Sequence, residues 1–215
     1  MRQSFTTQLE ELHNNVIKMG SILELSMNEM IDTLETMDVS KAEDIIARDD
    51  EIDLLEQQIE KACINILAKQ QPLATDLRKI TSIMKIITDI ERIADQCADI
   101  SEYIIKLNKL PRINAPANLG NMIAAMKNMV VDTIDSFVEK NIEKASSVMK
   151  ADDTVDKYFQ DICYELETMM QKDPNVVSQC VCYLMVIKYL ERMADHATNI
   201  AEWITFIVTG NLALG

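Results

Sequence analysis

The segment DIERIADQCADISEY at residues 89–103 returns one hundred residues later as YLERMADHATNIAEW at 189–203. Between 89–102 and 189–202 the identities are Glu, Arg, Ala, Asp, Ile and Glu. A second match pairs MIDTL at 30–34 with VVDTI at 130–134. A third pairs RDDEID at 48–53 with ADDTVD at 151–156, displaced by three further residues. Three matches in one order mark a tandem duplication, so each half must fold as a unit that the other half can copy.

That unit is helical. Only four Gly and four Pro punctuate the 215 residues, too few turn formers for a sandwich or a barrel. Apolar Phe5, Leu9, Leu12, Val16, Met19 and Leu23 predict a first helix from an N-cap at Ser4 to about Met37. Ser40 with Glu43 three residues on reads as a capping box, opening a second helix to about Lys69, which Pro72 breaks. Thr75 or Asp76 is expected to cap a third helix ending near Lys109. Pro111 and Pro116 bracket a short extended linker. The copy then runs as helices from about Asn118 to Phe137, Asn141 to Gln171, and past Pro174 to about Val208, with Gly210 as C-cap. The expected architecture is all-α: six long antiparallel helices in two tandem, pseudo-symmetric three-helix bundles, at 1–110 and 118–215 with 111–117 as linker. Helices of roughly 30 residues are rods of about 45 Å.

The repeated segment carries a stripe of acid. With Glu91 as origin of a helical wheel, Asp95, Asp99 and Glu102 fall within about 80°. Glu191, Asp195, Asn199 and Glu202 repeat the pattern. Like charges at i,i+4 cost about 0.2–0.5 kcal/mol per pair, so the stripe needs a reason. Ile90, Ile93, Cys97, Ile100 and Ile104 fill much of the remaining circumference, so it is not the outer face of a simple amphipathic helix. Ala94 and Ala98, or Ala194 and Ala201, flank it and leave access. The second helix of each unit adds Asp49 and Asp53, or Asp152 and Asp156. Asp53 and Glu91 both lie 19 residues from Pro72, which sets them close to level across the turn, and Asp156 and Glu191 bracket Pro174 almost symmetrically, by 18 and 17 residues.

Converging carboxylates repel unless a cation neutralises them. The candidate ligands are Asp49, Asp53, Glu91, Asp95 and Asp99 in one half, and Asp152, Asp156, Glu191, Asp195 and Asn199 in the other. Oxygen donors suit hard or intermediate ions such as Mg²⁺, Ca²⁺, Mn²⁺ or iron better than a thiolate-type zinc site. The bland alternative is a solvated acidic face, partly balanced by Arg92 and Arg192.

Other chemistries find little support. The net charge of −14 and the absence of a Lys/Arg cluster disfavour nucleic acid and anionic membrane surfaces. No stretch approaches the roughly 18 apolar residues of a membrane span, and the N-terminus lacks a signal peptide's apolar core, so a cytoplasmic protein is expected. Five cysteines without a CxxC pair read as buried thiols in a reducing compartment. DDEIDLLE lacks the Gly of an EF-hand loop. Phosphate-cradling loops, activated nucleophiles and the pair of Glu-x-x-His motifs of a di-iron oxidase are all missing, and His13 and His196 are the only histidines. His196, one step off the stripe, is expected to pack or to orient a neighbour.

Taken together, MG at 19–20, RDDEID, QQPLATDLR at 70–78, ERIADQCADISE, ADDTVD and YLERMADHATNIAEWITFIVTG resemble the PhoU family of phosphate-signalling regulators over essentially the whole chain. The resemblance implies metal sites on the E-x-x-x-D and D-x-x-x-D motifs, here Glu91, Asp95, Asp49 and Asp53, and Glu191, Asp195, Asp152 and Asp156. The cations would be divalent or iron (Fe, Mn, Mg, Zn or Ca). It implies negative regulation of phosphate uptake and of the phosphate-starvation response. The protein would be a cytoplasmic adaptor between the ATPase of the phosphate ABC transporter and a sensor histidine kinase, with no catalytic step; a homodimer is expected. Ala94 and Ala194 stand where the family commonly has Gly, and Gln96 and Asp99 where it usually has His and Asn, so the two sites need not hold the same metal count. A carboxylate-cluster metalloenzyme and a purely structural helical scaffold are the competing classes.

Overall fold

A computed structural model describes residues 2–69 and 72–211. Six α-helices make up nearly all of it: α1 (Arg2–Thr36), α2 (Val39–Lys69), α3 (Ala74–Asn108), α4 (Leu119–Glu139), α5 (Ile142–Lys172) and α6 (Val177–Thr209). A single 3₁₀ turn, Pro174–Val176, leads into α6. No strand occurs among the described residues. The expected all-α architecture of two successive three-helix units is therefore observed. Each unit closes on its third helix, and the units join side by side along α3 and α6, the most extensive helix pairing in the molecule.

Helix ends follow local chemistry, with three departures from expectation. Ser4 lies inside α1, which already runs from Arg2. At α2 the cap is Asp38, whose Oδ1 accepts from the backbone N–H of Ser40 (3.0 Å) and Lys41 (3.3 Å). A charged acceptor at the positive end of the helix displaces the Ser40 hydroxyl expected there. At α3 neither Thr75 nor Asp76 caps; the helix starts at Ala74 behind an extended Leu73 with no side-chain cap, and Asp76 sits in the first turn, where its charge suits the dipole. Gln70 and Gln71 of the QQPLATDLR segment lie outside the described residues. Asn141 does cap α5, accepting from Lys144 N–H at 3.1 Å.

The linker is tied to the second unit. Pro111 O accepts from the Gln179 side-chain amide (2.9 Å), and both Glu165 carboxylate oxygens accept from Ala117 N–H (3.1 and 3.0 Å).

The core follows 3-4 spacing. On α1, Leu12, Val16, Met19, Leu23, Met27, Met30 and Leu34 are all buried. Four cysteines are buried and Cys163 half-buried, all five as free thiols, as expected. No described helix is long and apolar enough to cross a membrane.

Two glycines do structural work. A Cβ on Gly20 of α1 would meet Ile134 Cγ2 at 3.0 Å, so α1 and α4 can approach this closely only over a glycine. Gly210 ends α6 in the left-handed region at φ +80, and a Cβ there would overlap the Arg78 guanidinium. Arg78 stacks over Phe206 at 5.8 Å, fastening the start of α3 to the end of α6. Gly210→Ala is expected to lose about 1–2 kcal/mol from the left-handed backbone alone, plus whatever displacing Arg78 costs. Urea unfolding checks this; an unchanged midpoint would mean that the clasp contributes nothing.

Candidate metal centres

The carboxylates sit where the hydrophobic seam of a helix is interrupted. On α2 the inward positions run Ala42, Ile45, Asp49, Ile52, Leu55, Ile59, Cys63 and Ile66; the apolar members are all buried. On α5 they run Ala145, Val148, Asp152, Val155, Phe159, Ile162 and Leu166. The same step of the same stripe thus holds an Asp in both halves. The facing helices narrow to admit it: α3 presents Ala94, Cys97 and Ser101, and α6 presents Ala194, Ala197 and Ala201, all buried. Leucines at those positions would have filled the space that the carboxylates occupy.

In the first unit, ligand atoms of Asp49 and Asp53 from α2 and Asp95 from α3 all lie within 4.8 Å of one another. Among the described residues no other three acidic, His or Cys donors are so close. Burial, then Asp95 and Asp53, push the Asp49 carboxyl up to about 6. Burial, then Asp95, push Glu91, one turn away, up to about 7. Asp53 is raised chiefly by burial and then by Asp95. The carboxyl oxygens Asp53 Oδ1 and Glu91 Oε2 are enclosed; the first has no hydrogen-bond donor, and the second has only the ion-pair approach of Arg92. Arg92 supplies the local counter-charge, with Nη1 2.9 Å from Asp95 Oδ2 and Nε 3.4 Å from Glu91 Oε2. Half exposed, this pairing contributes about 0–1 kcal/mol and can open for a competing cation.

The second unit repeats the electrostatics in a more open form. Burial, then Asp195 and Asp156, push Asp152 up to about 6, with the Thr198 hydroxyl acting in the opposite sense, and Asp152 Oδ1 is again enclosed. Glu191 is raised by burial and then by Asp195 and Asp156; Asp195 is raised by burial and then by Asp156. Asp195 is nevertheless exposed where Asp95 is half-buried.

The fourth stripe positions stand at the seam between the units. Asp99 is raised by burial, then by Glu102 and Asp95, and is offset by Arg192 of α6. Asn199 donates its amide to Asp89 Oδ1 of α3 at 3.4 Å. His196 Nδ1 meets the same oxygen at 2.8 Å. Asp89 was not among the residues singled out from sequence. Its signal was a break in the repeat, Asp89 against Tyr189, and Tyr189 faces Tyr103 across the same seam at 6.0 Å.

The donor set fits a cation. Enclosed carboxylate oxygens with few hydrogen donors, held together against their own repulsion, cost free energy that a positive ion would offset. Asp49, Asp53, Glu91 and Asp95 would hold it in the first unit, and Asp152, Asp156, Glu191 and Asp195 in the second. All donors are oxygen, which suits Mg²⁺, Ca²⁺, Mn²⁺ or iron.

Comparison with known proteins covers the same ground. A family model described as the PhoU domain matches twice, at residues 16–104 and 119–204. The "phosphate-specific transport system accessory protein PhoU homolog" of Clostridium acetobutylicum is 40% identical over 210 residues, covering 97% of this chain and 96% of that protein. The protein of the same name from Pseudomonas aeruginosa is 33% identical over 211 residues, covering 97% and 86%. The crystal structure of PhoU from Pseudomonas aeruginosa superimposes with a TM-score of 0.93 at 32% identity, covering 96% of this chain and 100% of that one. The phosphate transport system regulatory protein PhoU from Streptococcus pneumoniae gives 0.91 at 29%, covering 97% and 99%.

Proposed function

The chain belongs to the PhoU family, and from that premise we propose that it is a cytoplasmic, metal-binding accessory protein of phosphate-specific transport. In this reading it restrains phosphate uptake and the phosphate-starvation response, as an adaptor between the ATPase of the phosphate ABC transporter and a sensor histidine kinase. The observation that carries the regulatory part is similarity along the full length, both repeats included, to proteins named for that accessory role. The metal part is supported by the paired Asp49 and Asp152, each set into an apolar seam beside further carboxylates.

No catalytic step is proposed. His196 is engaged with Asp89, and burial raises the Cys97 and Cys63 thiols, with the Asp49 carboxylate adding to the effect at Cys97 and Glu60 at Cys63. An adaptor works by binding one conformation of its partner better than another, and only that difference shifts a population. Long rigid helices with a charge of −14 offer a surface that complements basic patches on such partners.

Deleting the gene is expected to leave the phosphate-starvation response on in phosphate-rich medium, and the wild-type gene to restore repression. A deletion strain that represses normally would remove the regulatory reading. If the purified protein then hydrolysed phosphoesters, the carboxylate clusters would have to be assigned to catalysis.

A further inference from the structure

The repeats meet along α3 and α6, and at that seam they are not copies of each other. The fourth position of the acidic stripe is Asp99 in the first repeat and Asn199 in the second. Each is met by a residue of the opposite repeat. Arg192 of α6 offsets the charge of Asp99. Asp89 of α3 uses one oxygen, Oδ1, for two partners on α6: His196 Nδ1 at 2.8 Å and the Asn199 amide at 3.4 Å. Asp89 and His196 are largely enclosed, their side chains 14% and 18% exposed. The equivalent of Asp89 in the second repeat is Tyr189, so Asp99 has no such anchor.

An ionised carboxylate can only accept hydrogen bonds. Asp89 must therefore face the NH₂ end of the Asn199 amide, and the carbonyl oxygen Oδ1 is left uncommitted. It also requires a proton on His196 Nδ1, and this shorter contact braces the carboxylate from a second direction. Asn199 lies one turn beyond Asp195 on the stripe that starts at Glu191, and it is exposed, so an ion arriving from solvent can reach it.

We propose that Asp89 is a positioning residue for the second metal centre, turning the Asn199 carbonyl oxygen into place as a neutral donor one turn from Asp195. This inference rests on the metal reading above. It adds that the second centre is completed from across the seam, so that filling it ties the repeats together. Asp49, Asp53, Glu91 and Asp95, by contrast, all come from the first repeat.

Manganese binding, followed by the EPR signal of the free ion, tests this in two backgrounds that keep one centre each. Asp49→Asn with Asp53→Asn keeps the second centre; Asp152→Asn with Asp156→Asn keeps the first. Asp89→Ala is expected to weaken the second centre about tenfold, the scale on which affinity falls when the hydrogen-bond partner behind a ligand is lost, and to change the first less than about twofold. Asp89→Asn, which keeps an acceptor oxygen but no charge, is expected to restore most of that affinity. Asn199→Ala, at an exposed position, is expected to reproduce the loss, and Asp89→Ala added to it to cost nothing further, because the two act as one unit. Equal losses at both centres, a loss that Asp89→Asn does not restore, or a full further loss on top of Asn199→Ala would overturn the positioning role and leave the metal reading standing. A parent chain that binds no manganese would overturn both.

Discussion

Manganese added to the metal-free protein at pH 7 is expected to raise the melting temperature by about 5–10 °C. An ion that binds the folded chain at one hundred times its Kd stabilises it by about 2.7 kcal/mol, and a domain of this size gains about 2–4 °C per kcal/mol. The same experiment on Asp95→Asn with Asp195→Asn has an expected sign. Without metal the double variant should melt above the parent, because each substitution removes a charge from a cluster whose members raise one another. With metal it should melt below the parent, because two ligands are gone. The single variants should differ as well. Asp95 belongs to the set within 4.8 Å, whereas Asp195 is exposed, so Asp95→Asn should remove more of the manganese response. Parent and variant curves that both ignore manganese would mean that the acidic faces are merely solvated.

The seam substitution behind this prediction was half legible in the sequence. Spacing alone showed that Glu91 and Asp95 share a face and that Asp53 comes level with Glu91 across Pro72. The depth of the carboxylates was not legible from that spacing. Asp49 reads as one acid among several in RDDEID, and only the helix axis shows that it takes the place of an Ile or Leu while Asp50 and Glu51 face water. The clue was available in the small residues Ala94, Cys97 and Ser101, which are informative once α2 is known to face them. Helix number and order followed from the prolines and the duplication, since neither depends on tertiary context. Caps were less secure: Ser40, Thr75 and Asp76 are all competent N-caps, and choosing among neighbouring polar residues depends on where the chain enters the helix. The Asp89–His196 contact was invisible because it joins elements 107 residues apart and has no counterpart in the other repeat.

Raising the pH from 5 to 8 in the presence of EDTA is expected to destabilise the protein. Asp49 and Asp152 are pushed up to about 6, and Glu91 to about 7, while their unfolded values lie near 4. Between those limits the folded chain holds protons that the unfolded chain has released, so unfolding stability falls as pH rises. Below about 4 both states are protonated, and above about 7 both are ionised, so the slope is confined to that window. A shift of two units equals about 2.7 kcal/mol for a fully enclosed group. These carboxyls are partly open to water, and solvent screening leaves about 1 kcal/mol apiece, or about 3 kcal/mol for the three. His13 acts in the opposite sense: burial, then Lys79 and Lys140, lower it, so its contribution is lost as pH falls. One group with a smaller shift does not outweigh three. Urea midpoints should therefore drop steadily from pH 5 to 7, and Asp49→Asn with Asp152→Asn should flatten the decline. Saturating manganese should reverse it, because binding requires the ionised ligands and competes with their protons. A metal-free midpoint that rises over this interval would show that the carboxylates are not held together in the folded chain.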